Sequence, residues 1–314
     1  MKFLRVVVWR ITLGAIAAWT VLTIVFGLFT LTDEWVLQRK VGALRWAGEN
    51  EQVIAAVRDD YLAARGMDRP LIVQYFDWMG NMVTLDWGAS FVTGNPVFPT
   101  VITATGRTAT YVVPALVLAV VVGITLGLSI ALEPGTRLGN GGLLTAYAMF
   151  AIPNIWLGGM LVSMATVGAI PRPPLLFDHL LPILLTATTM LGGIVSYARA
   201  HAAEHATADF VRLVSAKGAS RFDVARHVLR NAAVPIVSLV FTEALALLVL
   251  TVFIIEVLFG IDGFGSLLFR SVDQRDLPVL LGGTLVIIGV GVVGNVIQDL
   301  SYGVIDPRID SDER

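Results

Sequence analysis

The run TATYVVPALVLAVVVGITLGLSIAL occupies residues 108–132 and holds 25 consecutive residues without a formal charge. An α-helix rises about 1.5 Å per residue, so about 20 apolar residues are enough to cross a hydrocarbon layer about 30 Å thick. Inside that layer a helix satisfies its own backbone hydrogen bonds, which an isolated strand or loop does not. The run therefore predicts a transmembrane α-helix.

Other stretches of the chain have a similar composition. The chain is 56% hydrophobic and only 15% charged, and its mean hydropathy of +0.77 exceeds what a soluble domain needs for its core. Four further runs carry no charge, and a fifth carries one acid, Glu243. These runs occupy residues 11–32, 138–171 (with one span near 143–166), 180–198, 231–255 and 277–298. Together they predict an all-α, multi-pass membrane protein with six transmembrane helices.

The distribution of basic residues predicts the orientation, because lysine and arginine in short loops resist translocation. With the N-terminus inside, twelve of these residues fall in the predicted inner segments and three in the short outer loops. Both termini are therefore predicted to be cytoplasmic, in a cell membrane. The predicted segments are a cytoplasmic N-terminus with the first span (1–32), an extracytoplasmic segment (33–107), a five-helix domain (108–305) with a cytoplasmic loop at 199–231, and a cytoplasmic tail (306–314).

The extracytoplasmic segment holds two predicted helices. Residues 48–70 read GENEQVIAAVRDDYLAARGMDRP, an amphipathic pattern whose end is bounded by Gly66 and Pro70. The stretch PLIVQYFDWMGNM (residues 70–82) is rich in aromatic residues, which suit the headgroup level of a bilayer, and it predicts a short interfacial helix. We interpret the segment as a packed external cap without chemistry of its own.

The densest cluster of charge lies in DFVRLVSAKGASRFDVARHVLRNAAVP (residues 209–235). Residues 209–230 are termed the charged segment below. Ser220 is a suitable N-cap, Asp223 completes a capping-box pattern, and a short helix is predicted from about Arg221 to Arg230. Gly218 supplies a sharp turn before this helix, because a side chain would hinder the turn.

The predicted short helix has two features that suit docking. Phe222 would protrude from its first turn, and Arg226 and Arg230, at positions i and i+4, share one face. An exposed aromatic ring beside a basic face fits the groove of a partner protein. The alternative is a solvated loop whose basic residues only fix the membrane topology.

The charged segment resembles the EAA-type cytoplasmic loop of permease subunits from binding-protein-dependent ATP-binding cassette (ABC) importers. The likeness is strongest to the first of the two permeases in the dipeptide, oligopeptide and nickel branch. Matches within the stretch are Asp209, Arg212, Ala216, Lys217, Gly218, Arg226, His227, Arg230, Asn231, Ala232 and Pro235. Collinear matches along nearly the whole chain are RPLIVQY (69–75), DWGASF (86–91), IPNIWLG (152–158), HLLPILL (179–185), EVLFGIDGFG (256–265), RDLPVL (275–280) and YGVIDPRI (302–309).

The resemblance implies a type I ABC importer transmembrane domain without a cofactor of its own. Its coupling helix, around residues 219–228, would sit in a cleft of an ATPase subunit, so that closure of the ATPase dimer switches the spans between inward-open and outward-open states. The implied partners are a second, homologous permease, two ATPase subunits, an extracytoplasmic substrate-binding protein and membrane lipid. The implied solutes are peptides, nickel chelates or some sugars. The implied coupling residues are Asp209, Arg212, Ala216, Lys217, Gly218, Ser220, Phe222, Asp223, Arg226 and Arg230.

The chain departs from the family pattern at three places. Arg212 stands where the general EAA pattern has an acid, as is common in the peptide branch. The stretch LTDEWVLQRKVGALRW (31–46) replaces a Pro-Gly-Asp-Pro-like sequence, and Asp262 stands where the family usually has proline. A nucleotide-binding P-loop needs a Gly-Lys pair, and none of the three lysines follows a glycine. The chain is therefore predicted to be a transport subunit and not the ATPase.

Three further motifs leave alternatives open. Glu243, an acid within a span, could line the translocation path, pair with a neighbouring span, or couple transport to an ion gradient in a secondary transporter. HAAEH (201–205) fits the H-x-x-E-H pattern of zinc peptidases but lacks an obvious third ligand. GVGVVG (289–294) fits a dinucleotide-binding pattern but lies inside an apolar run, where small residues serve helix packing.

Composition excludes two other classes. The net charge of −2 argues against a strongly basic nucleic-acid binder. The absence of cysteine excludes disulfides and thiolate metal sites.

Overall fold

The computed structural model describes residues 2–132, 136, 141, 142, 144, 145, 148, 154–206 and 208–305. Side chains are described for these residues except 2–7, 210, 212, 215, 231, 233–235, 237–250, 300 and 302–305. The described chain is helical, and its only β pairing is an isolated antiparallel bridge between Ala89 and Pro96. The predicted all-α fold is confirmed.

The helices with described bounds are numbered here in chain order. They are α1 (Lys2–Leu31), α2 (Trp35–Trp46), α3 (Glu51–Ala64), α4 (Leu71–Thr84), α5 (Val97–Leu132), α6 (Asn154–Thr166), α7 (Leu181–Ala206), α8 (Asp209–Ala216), α9 (Arg221–Phe259), α10 (Phe264–Asp273) and α11 (Leu277–Ile305). A π-helical turn, Leu175–Leu180, leads directly into α7.

Four of the described helices are long and apolar enough to cross a membrane. They lie within Val8–Trp46, Val97–Leu132, Leu175–Ala206 and Leu277–Asp299, which contain the predicted spans at 11–32, 108–132, 180–198 and 277–298. The count rises to five if the end of α9 and α10 form one broken span. Part of the predicted span at 143–166 lies outside the described residues, so the six-span count and the orientation remain predictions.

The helix that contains residues 108–132 is longer than a membrane span requires. With 36 residues, α5 is about 54 Å long, against about 30 Å of hydrocarbon. It begins at Val97, ahead of the uncharged run that starts at Thr108. The predicted segment 33–107 therefore ends in the first turns of this helix, where Val97 and Val101 are fully buried.

The described residues form two compact units, one within 2–106 and 266–292 and the other within 107–265 and 293–305. In the first unit, Arg275 is only 1% exposed and has a left-handed backbone (φ 54°) in the turn between α10 and α11. Its Nε donates to Glu34 Oε1 at 2.6 Å, and its Nη1 donates to Thr32 Oγ1 at 2.8 Å and to the carbonyl of Asp33 at 3.0 Å. Its Nη2 donates to the carbonyl of Phe29. Arg275 therefore binds the carbonyl of Phe29, which the end of α1 leaves without a helical partner, and the carbonyl of Asp33 just beyond the helix.

The residues around this arginine extend the network through the first unit. The Tyr61 hydroxyl donates to Glu34 Oε2 at 3.0 Å, and burial raises the pKa of Tyr61 to about 12, so the phenol stays protonated as a donor. On the other side, the carboxylate of Asp276 accepts from Ser90 Oγ at 2.5 Å and from the Phe91 N–H at 3.0 Å. We refer to Arg275 with Phe29, Thr32, Asp33 and Glu34 as the Arg275 clamp.

In the second unit, two glycines allow a close approach of α5 to α7. A Cβ atom at Gly127 would lie 2.7 Å from the carbonyl oxygen of Val195 and 2.9 Å from the nitrogen of Arg199. A Cβ atom at Gly123 would lie 2.6 Å from Ile194 Cγ2. Two glycines four residues apart thus allow these helices to pack closely, as a GxxxG pair does in membrane proteins.

The helix that follows Ser220 does not end at Arg230, so that prediction is wrong about its length. α9 runs without a break from Arg221 to Phe259, a length of 39 residues. It contains no glycine, and Pro235, which removes one helical hydrogen bond, does not stop it. The helix ends at Gly260, a left-handed C-cap (φ 68°). Residues 221–230 of the charged segment and the predicted span at 231–255 thus share one helix.

Candidate functional site

The charged segment folds as α8, a short turn and the first turns of α9. Ser220 is the N-cap of α9: its hydroxyl accepts from the Asp223 N–H at 3.2 Å, and Asp223 Oδ2 accepts from the Ser220 N–H at 3.1 Å. The predicted capping box is confirmed. The hydrogen bonds from Ser220 hold the pKa of Asp223 below its ordinary value, so its carboxylate is charged at the positive end of the helix.

The turn before α9 depends on Gly218. Its φ of 82° lies in the left-handed region, where an L side chain is disfavoured. The following N–H, that of Ala219, donates to the carbonyl of Val214 at 3.4 Å, as in the Schellman motif that ends many helices. A Cβ atom at Gly218 would meet no atom within 4 Å. The backbone conformation, and not a lack of space, therefore requires glycine here.

The inner face of the charged segment is anchored on two long helices. Val211 of α8 and Val228 of α9 are buried in a cluster with Leu128 and Ala131 of α5 and Ala202 of α7. Val224, Ala225 and Leu229, which are partly buried, pack against this cluster. This apolar packing fixes the position of the turn relative to the two helices.

The outer face of the charged segment is not covered by the described chain. Phe222 is 77% exposed, and Arg226 and Arg230, which follow it at i+4 and i+8, are exposed on the same side of α9. Lys217 and Arg221 are also exposed. The arrangement presents one aromatic ring surrounded by cationic side chains, which is suited to a partner surface with an apolar pocket and an acidic rim.

The remaining predicted coupling residues fall at the ends of α8 or outside the described side chains. Asp209 is the first residue of α8, where an acid favours the helix N-terminus, and Ala216 is the last. Arg212 lies on α8 and Glu243 on α9, but their side chains are outside the described residues.

Sequence reasoning missed a buried acid near the end of α9. Glu256 is 0% exposed, and its Oε1 accepts hydrogen bonds from the hydroxyls of Thr108 and Tyr111, the latter at 3.2 Å. Thr108 Oγ1 in turn accepts from the Phe264 N–H at 2.8 Å, and a Cβ atom at Gly263 would overlap the carboxylate. Glu256 therefore joins α5 to the break between α9 and α10. The available signal was an acid directly before a glycine-rich break in an apolar run.

Two motifs weighed in the sequence have no matching site in the described residues. His201 Nδ1 lies 3.8 Å from Glu204 Oε2, and the described part of the chain holds no group of three His, Cys, Asp or Glu side chains that could bind a metal ion. GVGVVG (289–294) lies inside α11, and the strand that a dinucleotide-binding loop requires does not precede it.

Residues 123–311, which include the charged segment, match the family described as the binding-protein-dependent transport system inner membrane component. The chain belongs to this family. The oligopeptide transport system permease protein AppB of Bacillus subtilis is 30% identical to it over 275 residues, covering 82% of this chain and 87% of the relative. The dipeptide transport system permease protein DppB of the same organism is 30% identical over 275 residues, covering 83% of this chain and 85% of the relative.

Family membership confirms the resemblance inferred from the charged segment. This member of the family is a permease subunit of an ABC importer and a multi-pass protein of the plasma membrane. It is a transport subunit rather than an enzyme, and it works with other components of the importer.

Proposed function

We propose that this permease forms a translocation path for peptides and that its charged segment couples the path to an ATPase subunit. The observation that carries the proposal is the continuity of α9, which runs from the exposed Phe222 through the predicted span at 231–255. A displacement of the exposed end would be transmitted along this continuous helix to the span. Movement of the ATPase would therefore tilt a span directly.

The exposed face of α9 suits a cleft in an ATPase subunit. Phe222 would enter an apolar pocket, where an aromatic anchor contributes about 2 kcal/mol or more. Arg226 and Arg230 would meet acidic groups at the rim, where charge affects the association rate more than the affinity. In the proposed assembly, a second, homologous permease, two ATPase subunits and an extracytoplasmic binding protein complete the importer.

Peptides are the proposed solutes because the relatives described above are oligopeptide and dipeptide permeases. Uptake of labelled peptides into proteoliposomes that hold the complete importer and enclosed ATP tests this. We expect uptake to require both ATP and the binding protein, and to continue when ionophores collapse the ion gradients. Uptake that ionophores abolish would favour a secondary transporter that uses Glu243. Accumulation of nickel chelates but not of peptides would show that the solute is a nickel chelate.

Gly218→Val is expected to abolish uptake while the protein still inserts into the membrane. A β-branched residue in the left-handed region is strained by about 1–2 kcal/mol or more, so the turn would shift and α9 would meet its partner at the wrong angle. Gly218→Asn is the matched control, because asparagine tolerates this conformation, and it should retain most of the uptake. Equal uptake by the valine and asparagine variants would contradict the proposed role of the turn.

The predicted orientation places Glu49 outside and Ala203 inside, and both residues are exposed. Since the chain has no cysteine of its own, single substitutions at these positions give clean labelling sites. An impermeant thiol reagent applied to intact cells should label Glu49→Cys and spare Ala203→Cys until the cells are permeabilised. The opposite labelling pattern would reverse the orientation.

A further inference from the structure

Helix α4 exposes a row of large apolar side chains next to the ones that it buries. Met79 and Met82 are buried within the first unit. On the outward side, Ile72, Phe76 and Val83 are 61%, 59% and 82% exposed. These three residues follow one another at i+4 and i+7 and so share one side of the helix, where a contiguous apolar patch indicates an interaction or membrane surface and not a surface in water.

The neighbouring α3 has the pattern expected of a helix in water. It buries Ile54 and Tyr61. Its outward side exposes Arg58, Asp59 and Asp60. The two helices belong to the same unit, so the difference between their outward faces indicates that they meet different surroundings.

The contact between α4 and α1 places α4 at the depth of a membrane span. The Tyr75 hydroxyl lies 2.8 Å from Thr23 Oγ1, and its ring packs edge-to-face with Phe26 at a centroid distance of 5.6 Å. Thr23 precedes Leu31, the last residue of α1, by about 12 Å along the helix axis. The uncharged run 11–32 is about 33 Å long as a helix, which is close to the hydrocarbon thickness. The contact therefore lies below the headgroup level.

The charge on α4 is compatible with this depth. Asp77 is the one charged residue among the 14 of the helix. Its Oδ2 is paired with Arg69 Nη1 at 2.5 Å. A paired carboxylate is less costly near hydrocarbon than a single one, and an arginine beside a helix end can reach the headgroups.

We propose that the outward face of α4, formed by Ile72, Phe76 and Val83, is embedded among the acyl chains of the leaflet next to the end of α1. In the predicted orientation this is the outer leaflet. The segment 33–107 is then not only an external cap: α3 faces water while α4 anchors the first unit laterally in the bilayer. The occupant of this face is lipid, and neither the second permease nor the binding protein covers it.

Nitroxide labels on Phe76→Cys and Val83→Cys test the proposal, because the chain has no native cysteine. The complete importer is placed in nanodiscs of phosphatidylcholine and phosphatidylglycerol. Collisions of each label are measured with oxygen, which concentrates in lipid, and with chromium oxalate, which stays in water. Ile24→Cys, on the exposed apolar side of α1, is the lipid control, and Asp59→Cys on α3 is the water control.

Labels at positions 76 and 83 should lose chromium oxalate collisions down to the level at position 24 and keep high oxygen collisions. Chromium oxalate collisions at the level of position 59 would overturn the proposal. Low collision rates with both oxygen and chromium oxalate would also overturn it, because a protein partner would then cover the face. Peptide uptake by each variant establishes that it is folded, and Ile72→Cys on the same face replaces a variant that does not assemble.

Discussion

Replacing Arg275 with alanine is expected to destabilise the protein by about 3 kcal/mol or more, because breaking a buried ion pair leaves its partner unpaired. The guanidinium is the cation bound to Glu34, which is itself largely buried. It also binds carbonyl groups at the end of α1, and its Cζ lies 4.2 Å and 4.6 Å from the ring centroids of Phe29 and Trp35. All of these contacts would be lost at once, and the Glu34 carboxylate would keep its hydrogen bond from Tyr61 but not its cation.

The matched control is Arg45→Ala. Arg45 forms an ion pair with Glu51 at 3.7 Å, but both side chains are mostly exposed. An exposed pair contributes about 0–1 kcal/mol, so this variant should unfold almost as the parent does. Arg275→Lys should fall between the two, since an ammonium group keeps the charge but lacks the planar fork that reaches several acceptors.

The stabilities of the three variants are compared by the midpoint temperature of their unfolding in detergent. The expected order of stability is Arg45→Ala, then Arg275→Lys, then Arg275→Ala. Equal midpoints for the two alanine variants would mean that the Arg275 clamp contributes no more than a surface pair.

Phe222→Ala is expected to weaken binding of the ATPase subunit about 30-fold, which corresponds to about 2 kcal/mol for a lost aromatic anchor. The ring is 77% exposed, so its removal leaves no cavity in the permease and should not disturb its fold. Co-purification of the ATPase with the permease should therefore fall sharply. Arg226→Ala should give a milder loss that shrinks as salt is raised, since salt already screens the contribution of Arg226 in the parent.

Trp46→Ala is the matched control for an exposed aromatic ring. Trp46 is 93% exposed at the end of α2, in the segment predicted to lie on the other side of the membrane. Its removal should leave co-purification unchanged. If Phe222→Ala also left co-purification unchanged, the charged segment would be a solvated loop. That is the alternative to docking which the sequence does not exclude.

Local patterns account for what the sequence predicted correctly. The uncharged run 108–132 predicts a helix surrounded by lipid. The spacing of Ser220 and Asp223 predicts two hydrogen bonds within one helical turn. The turn at Gly218 depends on the backbone conformation of that one residue. Each of these signals is contained within a few neighbouring residues, so the structure agrees with them.

Contacts between residues that are far apart in the sequence were not predicted. Arg275 was counted among the charges of an outer loop, yet it is buried because it binds groups about 240 residues earlier in the chain. Glu256 is likewise held by Thr108 and Tyr111, which no local pattern connects to it. The end of α9 was predicted wrongly for another reason. The change from charged to apolar sequence at Arg230 marks the predicted passage of the helix from water into the membrane, and not the end of the helix.

The most direct test of the coupling proposal is the ATPase activity of the reconstituted importer carrying Phe222→Ala. Purified ATPase is added in excess, so that weakened binding is overcome, and hydrolysis is measured with and without peptide-loaded binding protein. We predict that basal hydrolysis persists while its stimulation by the loaded binding protein is lost, because binding on the outer side is no longer communicated to the ATPase through α9. Stimulation equal to that of the parent importer would contradict the account.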